Sequence, residues 1–258
     1  MVVLSQNTIE PEPPSVLFIP GSIFPAADCY GKLLAILKDD INFIMKDHEI
    51  YSDIPLETWR LDIEVEALRK FGDAMGFDSF HVVGYSFGAS LALAYASKYL
   101  DRLRSIALVE PDWIGNIGMS SEEVQQREEL KNLQYVPPEK FLEEFMRLKV
   151  RSGVNITHLD VTNILEKRTV GVRAFLRSFQ TTELLYGKLR KFNGSLYIAI
   201  GDLSSPVEEA KAKRLATNFL DCNIEVYHNC HHWTPPQMSQ PERFADALRK
   251  LWSQAKLK

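Results

Sequence analysis

Three cysteines in 258 residues, Cys29, Cys222 and Cys230, are too few and too oddly spaced for a disulfide framework. The same spacing lacks the paired ligands of a structural zinc site, so the expectation is a reducing compartment and a chain without metal or other cofactor. No run of about eighteen uncharged apolar residues occurs. Nor does a basic flank followed by an apolar stretch open the sequence. A cytoplasmic chain with no membrane partner is therefore expected. Excess charge of one sign is missing too. With 30 Lys and Arg against 34 Asp and Glu, the net charge of -4 offers no basic footprint for nucleic acid or for an acidic lipid surface.

What remains is an ordinary globular composition, 45% hydrophobic and 25% charged, long enough for one large α/β core. Oligomeric state is not encoded in any feature of it. Residues 1–14 hold a brief Val2-Val3-Leu4 run and then Pro11, Pro13 and Pro14, which reads as a tail or a short edge strand. A continuous apolar run at Val16 to Ile19 reads as a buried strand, and further strands are read at Ile41 to Met45, Ser105 to Val109, Leu196 to Ile200 and Asn223 to Tyr227. Between them, Leu33 to Leu37 and Trp59 to Met75 carry apolar residues at helical spacing. Asp62 and Glu66 belong to the solvated face of the second helix and need no catalytic role.

The densest chemistry lies in His81-Val82-Val83-Gly84-Tyr85-Ser86-Phe87-Gly88-Ala89-Ser90, where a strand turns abruptly into an Ala- and Leu-rich helix. A serine hydroxyl is a poor nucleophile unless it is held where a base reaches it, and a tight strand-to-helix bend exposes it at a helix N-terminus. Gly84 and Gly88 leave room for the backbones to close on each other. The alternative is a loop serine that happens to stand between glycines. Against it, Gly-x-Ser-x-Gly here has the strand before and the helix after that give the pattern its mechanical meaning.

With this bend and the order of the runs around it, the sequence resembles the α/β-hydrolase family from about Ser15 to Trp252, most closely between Trp59 and Pro111. The fold class expected is α/β, a mostly parallel sheet flanked by helices, with a trimmed N-terminal edge and an inserted helical lid. Residues 1–113 and 191–258 are expected to form the core, and residues 114–190, where strand patterns give way to charged helical stretches, the lid. Phe141, Phe145, Met146, Leu148, Phe175, Phe179 and Tyr186 then either line an apolar pocket or simply pack helices together.

The resemblance also implies a site. Ser86 is the nucleophile and His232, in His231-His232-Trp233, is the base. Backbone donors at Phe87 and at Ser22, with Ile23 as the alternative, form an oxyanion hole. Pro20 stands where relatives carry histidine. The acid is the departure: relatives place an aspartate three residues after the glycine that is Gly201 here, and this chain has Ser204. Glu110, at the end of the preceding strand, is preferred to Asp202, with a Ser/His dyad as the third option. His228, His231, His232 and Cys230 lie close in sequence but match no common zinc pattern.

The expected function is a serine hydrolase that cleaves an ester or thioester of a small, mostly apolar molecule through an acyl-enzyme on Ser86. Alternatives are a C-C bond hydrolase or lyase using the same pair, or a ligand-binding protein on this scaffold with weakened catalysis.

Overall fold

The computed structural model describes residues 12–52, 58–156 and 165–255. The Val2-Val3-Leu4 run lies outside them. In chain order the elements are β1 (Ser15–Ile19), α1 (Ala26–Leu37), β2 (Asn42–Met45), α2 (Leu61–Ala74), β3 (Phe80–Tyr85), α3 (Phe87–Tyr99) and β4 (Leu103–Val109). Then come α4 (Ser121–Asn132), α5 (Pro138–Arg147), α6 (Leu165–Thr181), α7 (Tyr186–Leu189), β5 (Ser195–Gly201), α8 (Pro206–Ala216), β6 (Cys222–Tyr227), α9 (Pro236–Ser239) and α10 (Pro241–Gln254).

The six strands form one sheet in the order β2-β1-β3-β4-β5-β6, and every neighbouring pair is parallel. A sheet of this kind is covered on both faces, and its central strands are apolar on both sides. Alternation divides them cleanly. Leu17, Ile19, Val82, Ile106, Leu108, Leu196, Ile198 and Ile200 pack toward α2, α3 and α8. Val16, Phe18, Val83, Tyr85, Ala107, Val109, Tyr197 and Ala199 pack toward α1 and α10. Helix α3 is buried from Phe87 to Ser97, which its Ala-rich, almost uncharged sequence permits. Among the described residues no helix is long and apolar enough to cross a membrane.

Helix α8 was not evident as a helix in the sequence, although Pro206 at its first turn and Glu208 and Glu209 beside it are ordinary start features. Helices α4 to α7 all fall between β4 and β5. A capping box between Ser120 and Glu123 starts α4. On α5, Phe141, Leu142, Phe145 and Met146 repeat at helical spacing and face a third apolar cluster with Val172 of α6. Ile23 and Trp233, from loops at the ends of β1 and β6, complete that cluster and join the inserted helices to the sheet.

The chain leaves β1 for β2 on one side of the sheet and reaches β3 on the other. Open parallel sheets bind ligands at such a switch point, beyond the carboxyl ends of the strands. The loop from Pro20 and the bend at Ser86 meet there.

Candidate active site

Ser86 joins β3 to α3 with φ 53° and ψ -118°, a conformation that costs a non-glycine residue roughly 1–3 kcal/mol. The strain is held by the surroundings. Its amide donates to the Val109 carbonyl at 2.8 Å, and its carbonyl accepts from Ala89 at 3.0 Å. A Cβ on Gly84 would lie 2.7 Å from the Ala89 nitrogen, and one on Gly88 would lie 2.7 Å from the Ile19 carbonyl carbon. Both glycines are therefore close-approach positions, which packs β1, β3 and α3 into one rigid corner.

The imidazole of His232 comes from the loop after β6. Its Nε2 lies 2.9 Å from Ser86 Oγ, and both residues are buried, at 0% and 3% exposure. The Tyr85 hydroxyl donates to the His232 carbonyl at 2.5 Å, and the next residue, Trp233, donates its indole N-H to the Met146 carbonyl at 2.9 Å. The ring is thus anchored from the sheet and from α5 together.

On the far side of that ring, His232 Nδ1 lies 3.4 Å from Glu110 Oε2, with both side chains at 0% exposure. Neither atom has a hydrogen-bond partner among the described residues, so they face each other as a close contact of opposite character. Glu110 follows β4 with φ 49°, and its Oε1 accepts from the Gly201 amide and the Ser204 hydroxyl, each at 2.6 Å. Serine at the position where the resemblance implied an acid is therefore a ligand of the carboxylate that the neighbouring strand supplies. Asp202 is corrected by this geometry. Its carboxylate pairs with the exposed His228, and its carbonyl accepts from Arg151 Nε at 2.6 Å, so it is not brought to His232.

The backbone at Gly21 and Ser22 runs alongside the bend, since a Cβ on Gly21 would stand 3.3 Å from Ser86 Cβ. Among the described residues the amides of Ser22 and Phe87 have no acceptor. The Ser22 carbonyl accepts from the Tyr51 hydroxyl at 2.6 Å. At Pro20 the carbonyl lies 2.9 Å from Nε2 of buried His48. Burial lowers the His48 pKa, so the ring is neutral, and a carbonyl can only accept, which puts its proton on Nε2. His48 secures the loop whose own position 20 has proline, a role that nothing around His48 in the chain announces.

A second feature absent from the sequence reading is the ion pair between Lys149 and Asp112, whose side chains are 0% and 5% exposed. Burial works against both charges, yet the ammonium holds the Asp112 carboxyl below its ordinary value, and the carboxylate holds Lys149 above its own. Lys149 follows α5. Its carbonyl accepts from Ser205 at 3.0 Å, and Arg151 donates to the Leu203 carbonyl at 3.0 Å, so this segment is stitched to the loop after β5.

Of the aromatic residues between β4 and β5, Phe175 stacks on Phe87 at 3.5 Å and Phe179 on Trp113 at 5.0 Å. Phe141, Phe145 and Met146 pack with Trp233, Leu148 lies at the edge of the same cluster, and the Tyr186 hydroxyl donates to the Ile114 carbonyl. The four neighbours considered as metal ligands diverge: His228 faces Asp202, His232 faces Ser86, Cys230 Sγ lies 3.2 Å from Ser239 Oγ, and His231 Nδ1 accepts from the Trp233 amide at 3.2 Å. Among the described residues no group of three or more metal-ligating side chains is assembled.

A family model described as the alpha/beta hydrolase fold matches residues 51–235. Over 92 residues the chain is 35% identical to a proline iminopeptidase from Heyndrickxia coagulans, a match that spans 34% of this chain and only 32% of that protein. It is 25% identical to a 2-hydroxy-6-oxo-6-phenylhexa-2,4-dienoate hydrolase from Comamonas testosteroni, over 77% of this chain and 70% of that one. Among solved structures, a thermophilic esterase from Thermogutta terrifontis superposes with a TM-score of 0.71 at 21% identity, covering 94% of this chain and 90% of that one, a likeness of fold.

Proposed function

From the premise that this chain belongs to the alpha/beta hydrolase fold family, we propose that it is a serine hydrolase acting on an ester or thioester of a small, mostly apolar molecule. The observation that carries the reading is the buried line of contacts from Ser86 Oγ to His232 Nε2 at 2.9 Å, and from His232 Nδ1 to Glu110 Oε2 at 3.4 Å.

In this reading Ser86 Oγ attacks the carbonyl carbon while His232 Nε2 takes its proton, and the negative charge gathers on the former carbonyl oxygen. The Ser22 and Phe87 amides donate to that oxygen, aided by the positive N-terminal end of α3. As the tetrahedral centre collapses, the bond to the leaving oxygen or sulfur breaks and His232 returns the proton to it. Water then attacks the acyl-enzyme with His232 as base, and Ser86 is regenerated. Glu110 stabilises the imidazolium and keeps the Nδ1-H tautomer. Its present distance exceeds the ~2.7–2.9 Å of a charge-assisted hydrogen bond, and such contacts commonly tighten in the reacting complex. Helices α4 to α7 act as the lid over this site, and the three free cysteines suit a reducing cytoplasm.

The test is direct. Purified protein should hydrolyse a short p-nitrophenyl ester, and a fluorophosphonate should modify Ser86, with both results lost in Ser86→Ala. Folded protein that turns over the ester without labelling would defeat the acyl-enzyme. The similarity to a dienoate hydrolase favours a second reading, hydrolysis of a C-C bond beside a ketone by the same pair. Turnover of a vinylogous 1,5-diketone acid in preference to esters would select it.

A further inference from the structure

A cavity of about 60 Å³ lies between α4, α6, α8 and the segment after β4. On that scale one water needs about 10–15 Å³, so the space admits more than a single small group. Trp113, Phe179, Leu130 and Leu176 give it apolar walls. Two of its lining residues touch the bend that carries Ser86: Asp112 donates its amide to the Ser86 carbonyl at 3.4 Å, and the Phe179 ring stands 5.6 Å from that of Phe87.

The charges around this cavity are unequal in one respect. Asp112 is paired with Lys149, Glu123 with Arg214, Lys211 with Glu208 at 2.6 Å, and Lys131 with Glu128 at 3.2 Å. Arg127 is different. Its guanidinium donates to Asn116 Oδ1 at 2.7 Å, to the Phe179 carbonyl at 3.2 Å and to Met119 Sδ at 3.5 Å, all neutral acceptors. Among the described residues Arg127 forms no ion pair, and Glu123, one turn earlier on α4, is taken by Arg214. A half-buried guanidinium at an apolar cavity, fixed in place by neutral acceptors and given no counter-charge, is prepared for an anion that arrives from outside.

We propose that this cavity binds an apolar arm of the substrate that ends in a carboxylate, with Arg127 as the group that recognises it. The inference rests on the hydrolase reading and narrows its substrate class from a neutral apolar ester to one with an acidic end. Arg127 acts on specificity and takes no part in bond breaking. A planar guanidinium accepts a carboxylate through two parallel hydrogen bonds, which makes it selective for that group over a methyl of similar size.

Two probes of equal chain length test this, p-nitrophenyl hexanoate and the mono-p-nitrophenyl ester of adipate. The wild type should show the higher kcat/KM for the adipate ester. In Arg127→Gln the ratio of the two kcat/KM values should fall at least tenfold, and Arg127→Lys should keep part of it. Partial misfolding cancels in the ratio. Equal wild-type rates on both esters, or an unchanged ratio in the glutamine variant, would overturn the proposal. A binding arm is independent of turnover: free hexanoate should raise the wild-type melting temperature more than hexan-1-ol does, and the difference should vanish in Arg127→Gln. If a fluorophosphonate fails to label Ser86, the acyl-enzyme reading falls alone, and the melting experiment still decides the cavity.

Discussion

Glu110 and Asp202 are each the first residue after a strand, and those strands, β4 and β5, are neighbours in the sheet. One carboxylate is fully buried against His232, and the other reaches the exposed His228. Register separates them. Val109 pairs with Ala199, so Ile200 is level with Glu110 and Asp202 lies two residues further out, ~7 Å at about 3.3 Å per residue. At that height the Asp202 side chain meets His228, while Ser204 turns back to bond Glu110. Which carboxylate stands beside His232 is thus decided by how far each strand runs and by what holds the carboxylate.

The largest effect should come from reversing that comparison. Glu110→Gln should lower kcat on a p-nitrophenyl ester by roughly 10³- to 10⁴-fold, the scale seen when a triad carboxylate is lost, whereas Asp202→Asn should stay within about twofold. Equal losses in the two variants would break the distinction. A sharper form moves the acid to the other loop: Glu110→Ala with Ser204→Asp should recover about tenfold or more over Glu110→Ala alone, because Ser204 Oγ already stands 2.6 Å from the carboxylate position.

Next in size is the strap that joins the two loops. Lys149 reaches Asp112 on the β4 side, while its carbonyl accepts from Ser205 on the β5 side. Lys149→Met leaves a buried carboxylate without its cation and should destabilise the fold by about 3–5 kcal/mol in denaturant titration. Adding Asp112→Leu should restore much of that loss, since replacing a buried pair with apolar groups is often neutral. Full additivity of the two changes would show that the charges do not interact.

Much of the fold is legible in the sequence, and the remainder is hidden for identifiable reasons. The elbow at Ser86 and the six strands follow from apolar runs and glycines, which report local backbone demands, whereas the places of Glu110 and His232 rest on the resemblance to a family. The sequence prefers Glu110 to Asp202 only by analogy and leaves a Ser/His dyad open, because the relative height of β4 and β5 is a property of pairing between strands. Lys149 and Arg127 do not stand out from the other charges of residues 114–190. The burial of Lys149 and the half-burial of Arg127 arise only when the helices between β4 and β5 pack on the loops. His48 was invisible for the same reason, since its partner Pro20 is 28 positions away. Helix α8 carried ordinary start features that went unused beside the unexpected Ser204.

Between these loops the Ser204 hydroxyl is a smaller lever than Glu110 itself. Ser204→Ala removes one of two hydrogen bonds to Oε1 and leaves the Gly201 amide in place, so the loss should be about 1–1.5 kcal/mol, read as roughly a five- to tenfold drop in kcat. A drop as large as that of Glu110→Gln would mean that the hydroxyl, and not the strand end, positions the acid.

The smallest effect comes from the opposite end of the sheet and keeps acid unfolding apart from acid inactivation in these tests. His81 is buried at the start of β3, 2.7 Å from Ser105 Oγ, and burial, helped by Arg104, depresses its pKa to about 3. The unfolded chain takes up a proton near 6.5 that the folded chain refuses until about 3, so the unfolded state binds more protons across that window and stability falls as the pH drops. Between pH 6.5 and 5.5 the loss from this one group is about 1 kcal/mol. His81→Asn should flatten the stability profile by that amount while leaving the pH dependence of kcat where it was, because no contact of His81 reaches the loops that hold Glu110 and His232. A matching shift in the kcat profile would mean that the activity lost in acid is unfolding, and the contrast between the two carboxylates would then have to be measured above pH 6.5.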